Sequence, residues 1–229
     1  MDMIVVVGGI KGGSGKTTVA TNLAVMRALD GRDILLVDAD DQETASDFTV
    51  LRSERNTGGV SYTSIKLAGP AVRTQTLRLQ EKYQDIIIDT GGRDTTSQRA
   101  ALAVADVLLV PFVPRSFDIW TLEKISDLVA EMRQANPELK AFTFLNRGDS
   151  RGQDNIDTIQ VLKESEHIAF LDVTLGARKA FGNAAANGMA VTELKPQDLK
   201  ATEEINILYK YVFDINIVSS SEKTWRAKA

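Results

Sequence analysis

Short runs of aliphatic and β-branched residues recur along the chain, separated by helix-length stretches in which apolar and polar positions alternate with helical period. The runs are MIVVVG (3–8), DILLVD (33–38), DIIID (85–89), DVLLVPF (106–112), KAFTFL (140–145) and HIAFLDV (167–173). They are apolar throughout, the pattern of strands covered on both faces, and so predict a mainly parallel sheet. Periodic stretches predict helices over 16–30, 70–82, 95–104, 118–135, 154–165, 177–187 and 197–213. Strand and helix alternate, which predicts right-handed crossovers and a doubly wound α/β domain with helices on both faces of the sheet. The helix over 118–135 should stop before Asn136-Pro137, because a proline ring disfavours helical backbone in the residue before it. One domain over 1–213 is expected. The stretch 214–229, poor in core residues and rich in Ser and Lys, reads as a disordered tail or as a partner contact through Trp225.

Composition narrows the chemistry. At 229 residues and 43% hydrophobic the chain can bury a sizeable core. It has no cysteine, which excludes disulfides, zinc-thiolate sites, thiol nucleophiles and cysteine-held iron–sulfur clusters, so any metal is expected on oxygen ligands. The first apolar run is too short to span a bilayer and lacks the flanks of a signal peptide, which predicts an intracellular protein. A net charge of −4 argues against a surface that coats nucleic acid everywhere, while leaving room for a local basic patch.

The first run ends at Gly8-Gly9, and Lys16 opens an apolar helix, so Gly12, Gly13 and Gly15 fall in a strand-to-helix turn. Glycines there let successive backbone N–H groups approach phosphate oxygens, and the helix N-terminus adds partial positive charge. Lys16 suits the β- and γ-phosphates and the Thr17 hydroxyl suits Mg²⁺. Carboxylates follow at two further strand ends: Asp38 and Asp40 in VDADDQ, and Asp89 in DIIIDTGG. Doubly wound folds place ligands at this end of the sheet. Turn and helix capping is the competing duty of Asp38 and Asp40. Asp85, at the entrance of its run, reads as an edge charge, and the lone His167 as structural.

The segment KGGSGKTT, Lys11 to Thr18, departs from the usual phosphate-loop pattern: Ile10 stands at the first glycine position, and Lys11 adds a second lysine. This arrangement resembles the deviant Walker A box of the ParA/MinD family of P-loop NTPases, and the resemblance covers nearly the whole chain. VDADDQ is similar to the family's Walker A′ motif, DIIIDTGG to Walker B, and VPFVPRSFD to its proline loop. The resemblance implies ATP and Mg²⁺ as cofactors, with Lys11, Gly12, Gly13, Ser14, Gly15, Lys16, Thr17 and Thr18 around the phosphates and Asn146 of FLNRGD on the adenine edge. It implies Thr17, Asp38 and Asp89 at the metal, directly or through water. Lys11 would act across an ATP-sandwich homodimer, Asp38 or Asp40 would orient the attacking water, and Arg93 and Asp94 fall in the switch region.

Family resemblance also implies a positioning cycle, in which an ATP dimer binds DNA without sequence preference and an adaptor triggers slow hydrolysis. GARKAF resembles the region that carries DNA-contacting arginine in the ParA branch, which suggests Arg178 and Lys179, extended by Lys195, Lys200 and Lys210. Nucleoid association in the cytoplasm would follow, with a plasmid, a chromosome origin or a carboxysome as cargo. The phosphate loop begins almost at residue 1, so no N-terminal helix-turn-helix is expected. Two other readings compete. A MinD-type membrane-surface ATPase needs a bulky amphipathic C-terminal helix, which INIVSSSEKTWRAKA does not offer, and usually carries glycine where Ile10 stands. A metabolic ligase of the dethiobiotin or cobyrinic-acid synthase type needs a dedicated acid pocket.

Overall fold

The computed structural model describes residues 2–55, 61–114, 119–149 and 152–213. Among the described residues seven strands form one sheet: β1 (Met3–Val7), β2 (Ile34–Ala39), β3 (Thr63–Lys66), β4 (Asp85–Thr90), β5 (Val107–Phe112), β6 (Lys140–Gly148) and β7 (Ala169–Gly176). Their spatial order is β3-β2-β4-β1-β5-β6-β7, and every neighbouring pair is parallel. The helices are α1 (Lys16–Leu29), α2 (Thr44–Arg55), α3 (Ala71–Leu79), α4 (Thr96–Leu102), α5 (Ile119–Ala135), α6 (Gln153–Lys163), α7 (Lys179–Ala185) and α8 (Leu199–Phe213).

The unbroken apolar runs have their explanation in two cores. Val5 and Val7 of β1, Ile34 and Leu36 of β2, and Ile87 of β4 face a cluster closed by α1, α7 and α8. Their neighbours Ile4, Val6, Leu35, Val37, Ile86 and Ile88 point the other way, into a cluster closed by α3, α4, α5 and α6. Side chains alternate across a strand, so only a strand wanted on both faces is apolar at every position. Each such side chain contributes roughly 1.5–3 kcal/mol when fully buried.

Two elements lie outside the predicted pattern, α2 and β3. β3 is the sheet's edge, with Thr63 and Lys66 exposed, and needs no continuous run. α2 buries only Ala45, Phe48 and Arg52. Arg52 is 5% exposed and is held by both oxygens of Glu193 and by the Gly188 carbonyl. The other edge strand begins at Ala169 rather than His167 and shows partial exposure along its length. The start of the helix predicted from residue 118, and the tail over 214–229, lie outside the described residues.

Helix ends follow their local chemistry. Gly31, in the left-handed region at φ 80°, ends α1 with its N–H on the Ala28 carbonyl. α5 ends at Ala135, and the Asn136 amide after it donates to the carbonyls of Leu102 and Ala105.

Asp85 corrects an expectation. It is 1% exposed, and it accepts from the Met3 N–H at 3.1 Å, Arg27 Nε at 2.8 Å and Arg32 Nε at 3.1 Å. Arg27 also stacks over the Phe213 ring at 4.4 Å and donates to the Tyr209 hydroxyl, which in turn donates to Asp30. A buried carboxylate needs such partners, and this knot ties α1, β4 and α8 together at the end of the sheet opposite the glycine-rich loop.

Candidate functional site

β1 lies between β4 and β5, where the chain leaves one flank of the sheet for the other, and the loop after it opens into a crevice at the carboxyl ends of the strands. A cleft of about 620 Å³ sits there. Gly12, Gly13, Gly15, Lys16, Thr17 and Thr18 form one wall, Asp40 and Asp41 belong to another, and Gly91, Gly92, Arg93 and Arg147 also line it.

The glycines are required where backbones meet. Gly15 has φ 90°, and a Cβ there would lie 2.2 Å from the Asn146 amide nitrogen. That amide donates to the Ser14 carbonyl at 2.6 Å, while its oxygen accepts from the Arg147 N–H. Asn146 therefore straps the phosphate loop to the end of β6. A Cβ on Gly92 would lie 2.6 Å from the Gly12 nitrogen, so the loop after β4 can rest on the phosphate loop only without a side chain.

α1 starts at Lys16, with Gly15 at the cap position, no side-chain cap and no acidic residue in its first turn. Its first N–H groups are thus left for a ligand, and the helix dipole favours an anion. Lys16, 6% exposed, donates through Nζ to the Lys11 carbonyl at 3.1 Å. Burial lowers its ammonium pKa, against the pull of Asp89 and Asp40. Lys11 is half-buried at the rim, and Ser14 is buried with its hydroxyl turned toward the Lys11 carbonyl.

The carboxylates converge from adjacent strands. Asp38 and Asp89 are register partners on β2 and β4, so their backbones lie about 5 Å apart. Asp38 is engaged: Ser46 donates to one oxygen through its N–H at 2.8 Å and its hydroxyl at 2.7 Å, and the Asp40 N–H donates to the other. The capping duty weighed from sequence is thus present at Asp38 beside any role at a metal. Asp40 accepts from the Gln42 N–H and lies against Gly91.

Asp89 differs from both. It is fully buried, and neither oxygen has a hydrogen-bond partner of normal geometry. Burial pushes its carboxyl up to about 7; the Thr17 hydroxyl, close by, and Lys16 oppose the rise, and Asp38 and Asp40 add to it. Two orphaned carboxylate oxygens beneath Thr17 fit a divalent cation, bound directly or through its water. Among the described residues no three His, Cys, Asp or Glu side chains converge as a metal cage. Mg²⁺ is commonly held by one or two carboxylates with substrate phosphates and water, so a donor set completed by nucleotide fits this chemistry.

Gln98 and Arg147 belong to none of the sequence motifs, yet both lie at the site. Gln98 is fully buried on α4, and its side-chain oxygen accepts from the Thr90 hydroxyl at 3.2 Å and the Gly9 N–H at 3.5 Å, which joins the loops after β1 and β4. Arg147 lines the cleft with left-handed backbone, φ 55°. Its only sequence signal is its place between Asn146 and Gly148 at a strand end.

The suggested DNA-binding residues lie elsewhere, along the stretch from the start of α7 through its connection to α8 and on α8 itself. Lys179, Lys195, Lys200 and Lys210 are exposed. Arg178 forms a two-pronged ion pair with Glu204 of α8, and Glu204 also accepts from the Gly176 N–H. Lys200 lies one turn before Glu204, whereas Lys210 is about 15 Å further along the helix than Lys200. No described helix is long and apolar enough to cross a membrane.

Parallel sheet, phosphate loop and strand-end carboxylates together define a P-loop nucleotide-binding domain. Residues 5–191 match the CobQ/CobB/MinD/ParA nucleotide binding domain, and the chain belongs to that family. It is 27% identical over 202 residues to the maintenance of carboxysome distribution protein A of Halothiobacillus neapolitanus, covering 87% of this chain and 91% of that one. It is 30% identical over 196 residues to the protein of the same name from Gloeobacter kilaueensis, covering 84% and 85%. The structure of a substituted form of McdA from Cyanothece in complex with ATP superposes with a TM-score of 0.77 at 18% identity, covering 93% of this chain and 97% of that one.

Proposed function

We propose that this chain is a ParA-type ATPase that dimerises on ATP, binds DNA without sequence preference, and positions or segregates a cargo while an adaptor controls its hydrolysis. The observation that carries the reading is the uncapped start of α1 facing the cleft, with the orphaned Asp89 carboxylate below it and two lysines in one loop. Similarity to carboxysome distribution proteins supports the positioning branch, with a carboxysome or another large assembly as cargo.

Phosphoryl transfer to water needs positioning and charge neutralisation rather than a covalent nucleophile. Mg²⁺, when bound with ATP, supplies charge neutralisation at the phosphates. Thr17 and Asp89 would hold it, and Asp38, clamped by Ser46, would support its shell. The N–H groups of Gly12 to Thr18 and the Lys16 ammonium take the phosphates, and Asp40, reaching in beside Gly91, orients the attacking water. Asn146 both fixes the loop and places its amide near the base. Gly12 and Gly13 are exposed at the mouth, so a bound triphosphate keeps an outward side that needs cationic compensation. The facing subunit's Lys11 supplies it, which makes dimerisation ATP-dependent.

Retention on nonspecific DNA tests the output. The full chain should be retained with ATP and Mg²⁺ and released with ADP, and retention should fall steeply with salt because counterions are displaced on binding. Replacing Lys179 and Lys200 should weaken retention on all sequences alike. Salt-insensitive retention, or ATP-dependent flotation with anionic vesicles in place of DNA binding, would refute this reading.

A further inference from the structure

A second groove, of about 460 Å³, lies outside the nucleotide cleft, between α2 and the edge strand β3. Thr49, Val50, Ser53 and Glu54 form one wall, Ser64, Ile65 and Lys66 the other, and Ser46 sits within it. Among the described residues no strand pairs with the outer side of β3. The Leu67 N–H turns inward to the Asp38 carbonyl, so by strand alternation Ser64 and Lys66 direct their N–H and C=O groups outward. An open edge of this kind is a template for one more strand.

Charge selects what that strand would be. Asp47, Val50 and Glu54 follow one another at helical spacing on α2 and Glu43 precedes the helix; all are exposed, and Val50 and Glu54 line the groove. Glu43 is paired with Lys66. Asp47 and Glu54 have no ion pair with a described residue, and Arg55 is turned away to the Ala186 carbonyl and Asn187. The rim is therefore acidic around one exposed apolar side chain, Val50, which is 57% exposed.

We infer that this groove docks an extended, basic segment of a partner protein, added to the outer edge of β3, and that its occupancy is felt at Asp38 through Ser46. Ser46 belongs to both places: it lines the groove and clamps one Asp38 oxygen with two hydrogen bonds. The β3 end is joined to the same residue through the Leu67 N–H. A strand seated on β3 presses on the turn that sets the Asp38 carboxylate. The effect on turnover rests on the proposed ATPase function; the docking does not.

The test uses the full chain and two peptides of about eight residues, one alternating lysine with valine and one alternating glutamate with valine. The basic peptide should shift the amide resonances of Ser64 and Lys66, bind at least about tenfold more tightly than the acidic one at low salt, and raise ATP turnover several-fold. Asp47→Lys with Glu54→Lys, both exposed and outside the nucleotide site, should reverse the preference while basal turnover stays unchanged. Ser46→Ala should still bind the basic peptide and lose the stimulation. Equal binding of the two peptides, shifts confined to another surface, or self-association through this edge that the double charge reversal abolishes would overturn the inference. Absence of any ATP turnover without peptide would count against the ATPase reading instead, and the amide shifts would still decide the docking.

Discussion

Asp89→Asn removes a buried carboxylate whose charge, without metal, Lys16 and the Thr17 hydroxyl offset only in part. Burial raises the Asp89 pKa from 3.8 to about 7 in the folded protein. The sign follows from proton binding: between these values the folded state holds a proton that the unfolded state has lost, so stability of the metal-free wild type falls as pH rises through this window. About three pH units at roughly 1.4 kcal/mol each set an upper bound of about 4 kcal/mol, and relaxation and water entry reduce it. Asparagine does not titrate, so its packing and hydrogen-bond cost is the same at both ends of the window. Thermal unfolding in chelator at pH 4.5 and pH 8 should therefore show Asp89→Asn gaining on wild type by about 2 kcal/mol or more at the higher pH, roughly 4–8 °C in Tm for a domain of this size. Adding Mg²⁺ and ATP at pH 8 should offset this gain, because wild type alone keeps the Asp89 carboxylate for the metal. A gap between the two proteins that does not change with pH would show that Asp89 does not take up a proton on folding.

Asp85→Ala leaves Arg27 and Arg32 without their shared carboxylate and should cost about 3–5 kcal/mol in urea unfolding while nucleotide affinity stays within about twofold. Gly15→Ala should abolish nucleotide binding in a fluorescent-ATP titration, since its Cβ would displace the Asn146 amide from Ser14 and the backbone is left-handed. Asp40→Ala should hold an ATP-bound dimer with turnover reduced at least about tenfold, measured by phosphate release. Ordinary turnover in both Asp40→Ala and Asp38→Asn would remove the carboxylates from the chemistry.

The phosphate loop and the carboxylates after β2 and β4 are legible in the sequence because doubly buried parallel strands make unbroken apolar runs and the chemistry sits where each run stops. α2 and β3 are not, since an edge strand and its covering helix need few apolar positions. Arg52 reverses the usual pattern: a buried arginine inside α2 is held by Glu193, 141 residues away. Asp85 reads as an edge charge for the same reason, because its partners Arg27 and Arg32 lie on a different stretch of chain. The role of Gln98 depends on Gly9 and Thr90 meeting across the sheet, which no local spacing records. Asp38 shows a further limit: its position is given by the motif, but its clamp by Ser46 exists only once α2 has folded over the strand end.

ATP-dependent dimerisation through Lys11 is read by light scattering of the full chain with Mg²⁺ and ATP, beside Lys11→Ala. The monomer mass is 25.0 kDa. The wild type should double in mass with ATP and return to the monomer with ADP, whereas Lys11→Ala should bind ATP and keep the monomer mass. A wild type that stays monomeric with ATP, or a Lys11→Ala protein that dimerises as the wild type does, would contradict the account.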